Sequence, residues 1–275
     1  RKSQRRRHGV RWTAGLYGWR QYGVTMLELD KIHCGDNCDL LGQLPRECID
    51  LVVTSPPYDD LRTYGGHSWD FFGVAWHLKR VLKPGGVIVW VVADATKDGS
   101  ETGTSMEQAL HFKRLGLNLH DTMIYEFDKP PLNDRRYEQK AEFMFVLSNG
   151  APKTWNPLTE KSITAGTMRH RGAGEKKSQD VRNGSSKDFG VYSEVKDDKV
   201  RGNIWRYTKA GEDKTDHPAM YPQKLAGDHI ATWSNPGDLV LDPFSGSGTT
   251  AKAAKELGRR FLGLEINPEY CAIAE

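Results

Sequence analysis

The stretch Leu239-Val240-Leu241-Asp242-Pro243-Phe244-Ser245-Gly246-Ser247-Gly248-Thr249-Thr250-Ala251 decides the fold. A short apolar strand runs into a turn with two closely spaced glycines, and a helix candidate, Thr249 to Leu257, follows at once. Gly246, Gly248 and Ala251 satisfy G-x-G-x-x-A in the strand–turn–helix context that the pattern needs. Glycines let backbone approach a ligand closely, and the first helical turn leaves its N–H groups unpaired. Glu265 closes the next strand candidate, Phe261 to Leu264, where a carboxylate can accept two ribose hydroxyls. The stretch therefore reads as a nucleotide-cofactor turn. A nicotinamide fingerprint has the same form but usually opens its domain, whereas here only 27 residues follow Gly248. The sheet must be completed from the front of the chain, which makes this a circularly permuted, doubly wound fold.

Outward from that turn, Pro222 to Trp233 reads as a helix, and the front of the chain supplies the missing strands. Lys31 to His33 is a short strand ending in Gly35-Asp36. Ile49 to Thr54, apolar apart from Asp50 and the closing Thr54, is a run of the kind a buried parallel strand shows. Trp69 to Leu82 reads as a helix closed by Lys83-Pro84-Gly85-Gly86, and Val87 to Val92 as another buried strand. Glu107 to Leu115 is a helix, and Leu119 to Phe127 with Ala141 to Leu147 form a hairpin. Strands alternate with helices, so the class is α/β with a mostly parallel sheet. Asp36 falls just past the first strand, where it suits an adenine amine and equally suits a turn after Gly35.

A second motif, Thr54-Ser55-Pro56-Pro57-Tyr58, ends a buried strand and so falls on the same sheet edge as the glycine turn. Two prolines fix φ and remove two N–H donors, which leaves a stiff turn whose carbonyls and Ser55 hydroxyl accept hydrogen bonds. Tyr58 adds a flat stacking surface. An amino group on an aromatic base is a poor nucleophile because its lone pair is delocalised into the ring. Acceptors gripping its N–H bonds favour a pyramidal nitrogen whose lone pair faces an electrophile.

Composition sets the outer limits. The 275 residues are 37% hydrophobic and 27% charged, mean hydropathy is −0.64, and no apolar run approaches the length of a membrane span. Four cysteines without a second close pair suggest neither a disulfide scaffold nor a zinc ribbon, and a reducing compartment fits best. Net charge is only +3 but unevenly placed. Residues 1–25 hold seven Lys/Arg and no acids, which reads as a basic arm, and residues 151–210 hold thirteen bases against seven acids. Two basic segments on an acidic body suit phosphate binding. The stretch 149–210, rich in Gly, Ser, Lys, Arg and Asp, reads as an insertion between catalytic and cofactor segments at 26–148 and 211–275.

Taken in order, these motifs resemble the β group of amino-group DNA methyltransferases that use S-adenosylmethionine, in which the catalytic motif precedes the target-recognition region and the cofactor motif comes last. The resemblance covers roughly residues 27–275 apart from the insertion. It implies a Rossmann-like methyltransferase fold, with a C-terminal antiparallel hairpin strand beside the parallel strands. It assigns Ser55 and the carbonyl of Pro56, with Pro57, to the target amine, and Tyr58 to stacking on a base extruded from the duplex. It assigns Asp242, Pro243, Phe244, Ser245, Gly246, Gly248 and Thr249 to the methionine end of the donor. Glu265 goes to the ribose, Asp36 and Thr54 to the cofactor edge, and His217-Pro218 to packing against the methionine part.

Because the sulfonium is already a good leaving group, the resemblance implies no metal and no covalent intermediate. None of the cysteines lies in a Pro-Cys pair, which argues against the cytosine C5 class. Serine in first place of the catalytic motif accompanies cytosine N4 in this family, so Ser55 points to a site-specific cytosine-N4 enzyme. Adenine N6 and an amine of RNA or protein are the alternatives, and a non-catalytic DNA-binding domain with a relict pocket is the rival from another class. The expected partner is double-stranded DNA, contacted through Lys153, Arg169, Arg171, Lys176, Lys177 and Arg182, with Trp155 packing on sugar or base. A homodimer, a cognate endonuclease and a flanking chromatin or DNA module stay open. The expected location is cytoplasmic at a bacterial nucleoid, or nuclear in a eukaryotic host.

Overall fold

The computed structural model describes residues 26–57, 69–127, 137–171, 191–207 and 221–274. In chain order these form β1 (Lys31–Cys34), α1 (Asn37–Gln43), β2 (Ile49–Thr54), α2 (Phe71–Val81), β3 (Leu82–Val92), β4 (Thr96–Lys97), β5 (Ser100–Glu101), α3 (Thr104–Arg114), β6 (Asn118–Glu126) and β7 (Ala141–Ser148). There follow β8 (Thr159–Lys161), β9 (Met168–Arg171), β10 (Val191–Glu194), β11 (Asp198–Val200), β12 (Ile204–Arg206), α4 (Gln223–Trp233), β13 (Leu239–Asp242), α5 (Thr249–Glu256), β14 (Arg260–Glu265) and α6 (Pro268–Ala274). Among the described residues no helix is long and apolar enough to cross a membrane.

The main sheet has eight strands in the order β1-β14-β13-β2-β3-β7-β6-β12. Strands β1, β14, β13, β2 and β3 are parallel, β7 runs antiparallel between β3 and β6, and β12 pairs parallel with β6. Front and back of the chain thus interleave, with β2 directly beside β13, as the permuted motif order requires. The expected hairpin is β6–β7. Because of the permutation its antiparallel strand comes from mid-chain rather than from the C-terminal end.

Alternation along the strands builds two cores. On one face Ile49, Val52, Ile88, Trp90, Leu241 and Leu264 pack with α1, α2 and α3 through Leu41, Leu78 and Phe112. On the other, Leu51, Val53, Val89, Val91 and Val240 pack with α4 and α5 through Leu225, Ile230 and Ala254. The central strands are therefore apolar at consecutive positions, as two-sided burial demands. Trp90 anchors the first core. It is fully buried, its indole N–H donates to Gln108 Oε1 at 2.8 Å, and its ring meets Phe112 at 5.1 Å. Trp90→Ala should lower unfolding free energy by about 3–5 kcal/mol, read as a shifted urea midpoint.

Two sequence expectations change here. Lys83 to Gly86 do not close α2 but lie within β3, in an irregularity between the Ile49↔Leu82 and Leu51↔Val87 pairs. The segment expected as an insertion gives its last strand, β12, to the main sheet. Trp205 and Tyr207 are buried in the second core, so part of 149–210 is structural. Among its other described residues, β8 pairs antiparallel with β11 and β9 with β10, and Ser162 N–H to Asp197 O and Val195 N–H to Thr167 O join the two pairs.

Candidate active site

Parallel packing brings the carboxyl ends of β1, β2, β13 and β14 to one edge, and with them Asp36, Thr54 to Pro57, Asp242 to Gly248 and Glu265. The glycine turn has the backbone its composition predicts. Gly246 has φ +51° and Gly248, which precedes α5, has φ +88°. A side chain at Gly248 would also press on Ile32 and Ala274, at 3.2 and 3.3 Å.

Glu265 holds this loop directly. Its carboxylate accepts the N–H of Gly246 and of Asn267, each at 2.8 Å, one on each oxygen. Each oxygen keeps a further lone pair for a hydroxyl. Ser245 is buried, and its hydroxyl finds no hydrogen-bond partner among the described residues. Two left-handed glycines, the open first turn of α5, an unpaired buried hydroxyl and a carboxylate at the loop fit the amino-acid and ribose parts of a nucleoside donor. Pro243 is buried, and its carbonyl accepts from Asn37 Nδ2 at 3.4 Å. Phe244 meets Trp69 edge-on at 4.9 Å, which pins the loop to the chain just before α2.

Asp242 and Thr54 do not face outward. Thr54 Oγ1 donates to Asp242 Oδ1 at 2.6 Å, and both residues are buried. The Phe244 N–H reaches the same oxygen at 3.0 Å, while Thr250 Oγ1 donates to Oδ2 at 2.7 Å and the Tyr221 hydroxyl approaches Oδ2 at 3.5 Å. Tyr221 and Thr250 also hydrogen-bond each other. Burial pushes Asp242 up to about 6, against the pull of the Thr250, Thr54 and Phe244 hydrogen bonds. Thr250 lies inside the glycine motif and Tyr221 just before α4, and neither is assigned a role from the sequence. Their signal was only a hydroxyl next to a buried carboxylate, which a linear sequence does not display.

Ser55 is half-buried at the end of β2, followed by buried Pro56 and half-buried Pro57. Asp36 caps α1, accepting the Asp39 N–H at 3.0 Å, so the turn reading holds and one of its oxygens is already engaged. Thr249 is the first residue of α5. Lys153 is not brought to this edge: its N–H bonds the carbonyl of Gly85 at 2.9 Å, at the amino end of β3. Trp155 packs on Trp233 at 4.9 Å and stays exposed on its other side. Arg169 and Arg171 belong to β9, with side chains outside the described residues. Tyr58, Lys176, Lys177, Arg182, His217, Pro218 and the arm 1–25 also lie outside them.

Known proteins with this arrangement agree on one kind of enzyme. An orphan methyltransferase of Bacillus amyloliquefaciens, M.BamHII, is 49% identical over 233 residues, which cover 82% of this chain and 87% of that protein. The solved PvuII DNA methyltransferase, described as cytosine-N4-specific, superposes with a TM-score of 0.63 at 22% identity, covering 88% of this chain and 84% of that one. A DNA modification methylase of Thermus thermophilus, solved with S-adenosyl-L-methionine, gives a TM-score of 0.58 at 26% identity, covering 89% and 92%. Residues 49–275, from the first residue of β2 onward and so including both motifs at the carboxyl edge, match the N6/N4 DNA methylase family, and the chain belongs to it as an amino-group DNA methyltransferase.

Proposed function

We propose that this DNA methyltransferase acts on the exocyclic N4 amine of cytosine, at a specific site in double-stranded DNA and with the base turned out of the helix. The observation that carries the reading is the join of the two motifs at one edge: Ser55-Pro56-Pro57 continues from β2, and β2 lies beside β13, which opens the glycine loop. S-adenosylmethionine is the methyl donor, and when bound it supplies a methyl group on a positively charged sulfur. The residues that would hold it are the loop 243–248, Glu265 at the ribose, and His217-Pro218 against the methionine part. Ser55 and the Pro56 carbonyl take the N–H bonds of the amine, turning the lone pair out of the ring plane, and Tyr58 stacks on the base. Once both partners are held in line, proximity supplies most of the acceleration.

The choice of cytosine rests on Ser55 in the first place of the motif, and adenine N6 is the second reading because the family covers both amines. Contacts to phosphates fall to the ribbon of β8–β11 with Arg169, Arg171 and the neighbouring basic residues. Incubation with mixed-sequence duplex DNA and S-adenosylmethionine, nuclease digestion and mass spectrometry of the nucleosides should yield N4-methyldeoxycytidine. N6-methyldeoxyadenosine in its place would overturn the reading of Ser55 while keeping the enzyme class.

A further inference from the structure

The carboxylate of Asp242 is engaged by its own chain at both oxygens. An ionised carboxylate has about four lone-pair sites, and four donor groups surround this one: Thr54 Oγ1 and Phe244 N–H on Oδ1, and on Oδ2 the Thr250 and Tyr221 hydroxyls, whose two protons are shared among the carboxylate, each other and the Val53 carbonyl. Those donors come from the end of the strand that carries the catalytic motif, from the glycine loop, from the first turn of α5 and from the residue entering α4. Thr250 also lies against the catalytic strand itself, its Oγ1 3.2 Å from the Val53 carbonyl. Thr54 is the residue before Ser55, so whatever fixes Thr54 fixes where Ser55 points.

We propose that Asp242 is a positioning residue and not a ligand of the donor: its carboxylate is a clasp that sets the catalytic strand end against the glycine loop. The inference rests on the chain's being a methyltransferase and is independent of which base it methylates. The physical reason is reach. Methyl transfer needs nitrogen, methyl and sulfur in line, and the nitrogen is held by one side of this clasp and the sulfur by the other. A misplacement of about 1 Å between the two costs on the order of 100-fold in rate.

The clasp carries a cost to the fold. Burial raises Asp242 to about 6, so its stabilising contribution is present below the ordinary carboxylate range and is lost as pH rises through about 6. The ionisable groups facing it are Tyr221, from the segment before α4, and Glu265, at the end of β14. Neither brings positive charge. Protonation would place a donor among four donors and break at least one of the bonds.

Asp242→Asn tests this, with methyl incorporation into mixed-sequence plasmid DNA, binding of S-adenosylhomocysteine by calorimetry, and thermal melting. The variant should melt at or above the wild type at pH 8, with the difference closing toward pH 5. Its kcat should fall about 100-fold while S-adenosylhomocysteine affinity stays within about threefold. The wild-type kcat should drop below pH 6, and the variant's should be flat there. Thr54→Val removes a single bond of the clasp and serves if Asp242→Asn does not fold. It should lose at least about tenfold in kcat with product affinity unchanged, and Thr54→Ser should restore the rate. An Asp242→Asn or Thr54→Val enzyme with wild-type kcat would overturn the proposal. So would a variant whose S-adenosylhomocysteine affinity collapses while its rate at saturating donor is kept, because that pattern belongs to a ligand.

Discussion

Gly246→Val is expected to reduce S-adenosylmethionine affinity by at least about 100-fold in a chain that still folds. Gly246 sits at φ +51°, where a β-branched residue costs roughly 1–2 kcal/mol. Its N–H is also the one that Glu265 holds at 2.8 Å, and a charge-assisted bond of that kind is worth about 1.5–3 kcal/mol. A valine relieves the strain by moving the loop off its ligand-ready path. Returning the loop to that path then counts against binding, and about 1.4 kcal/mol is tenfold in Kd. The strands and helices beneath the loop keep their own backbone hydrogen bonds, so the circular dichroism spectrum should stay close to that of the wild type. Calorimetric titration with S-adenosylhomocysteine is the check. Affinity within threefold of wild type would mean that the donor sits elsewhere.

Ser55→Ala is the second large effect, and it should separate chemistry from binding. Removing one preorganised hydrogen-bonding group that acts on the transition state typically costs about 10²–10³ in kcat. The proposed donor seat, the glycine loop with Glu265, does not include Ser55, so S-adenosylhomocysteine affinity should stay within about twofold. Single-turnover transfer of a labelled methyl group into duplex DNA reads the loss. Full activity in this variant would remove Ser55 from the catalytic assignment and leave the Pro56 carbonyl to act alone.

Much of this site was legible in the sequence because its two motifs obey strong local rules. The glycine turn declares itself through Gly246 and Gly248, both of which take positive φ. Strand β2 spans Ile49–Thr54 as expected because Leu51-Val52-Val53 are apolar and buried on both faces, while Asp50 near its start is held at the edge by Lys83. Elements held by distant partners were harder to read. Strand β12 is three residues, Ile204–Arg206, and is a strand only because β6 lies beside it. Pro84-Gly85-Gly86 looked like a helix stop, yet Gly85 exchanges backbone hydrogen bonds with Asn149 and Lys153 and so stays with the sheet. The place of Lys153 beside β3 was not legible either: its charge was visible in sequence, and its backbone bond to Gly85 was not. Asp242 stands in the glycine motif, but its hydrogen-bond partners come from positions as far away as Thr54, a pairing that no linear motif displays.

The most direct test of the account is a crystal structure of the chain with S-adenosylhomocysteine. The ribose hydroxyls should lie on the Glu265 carboxylate, the amino-acid end over Phe244 to Gly248 and the sulfur facing Ser55-Pro56, with Asp242 still bound to Thr54 and Thr250 and not touching the ligand. A ligand seated away from the carboxyl edge of β13 and β14 would contradict it.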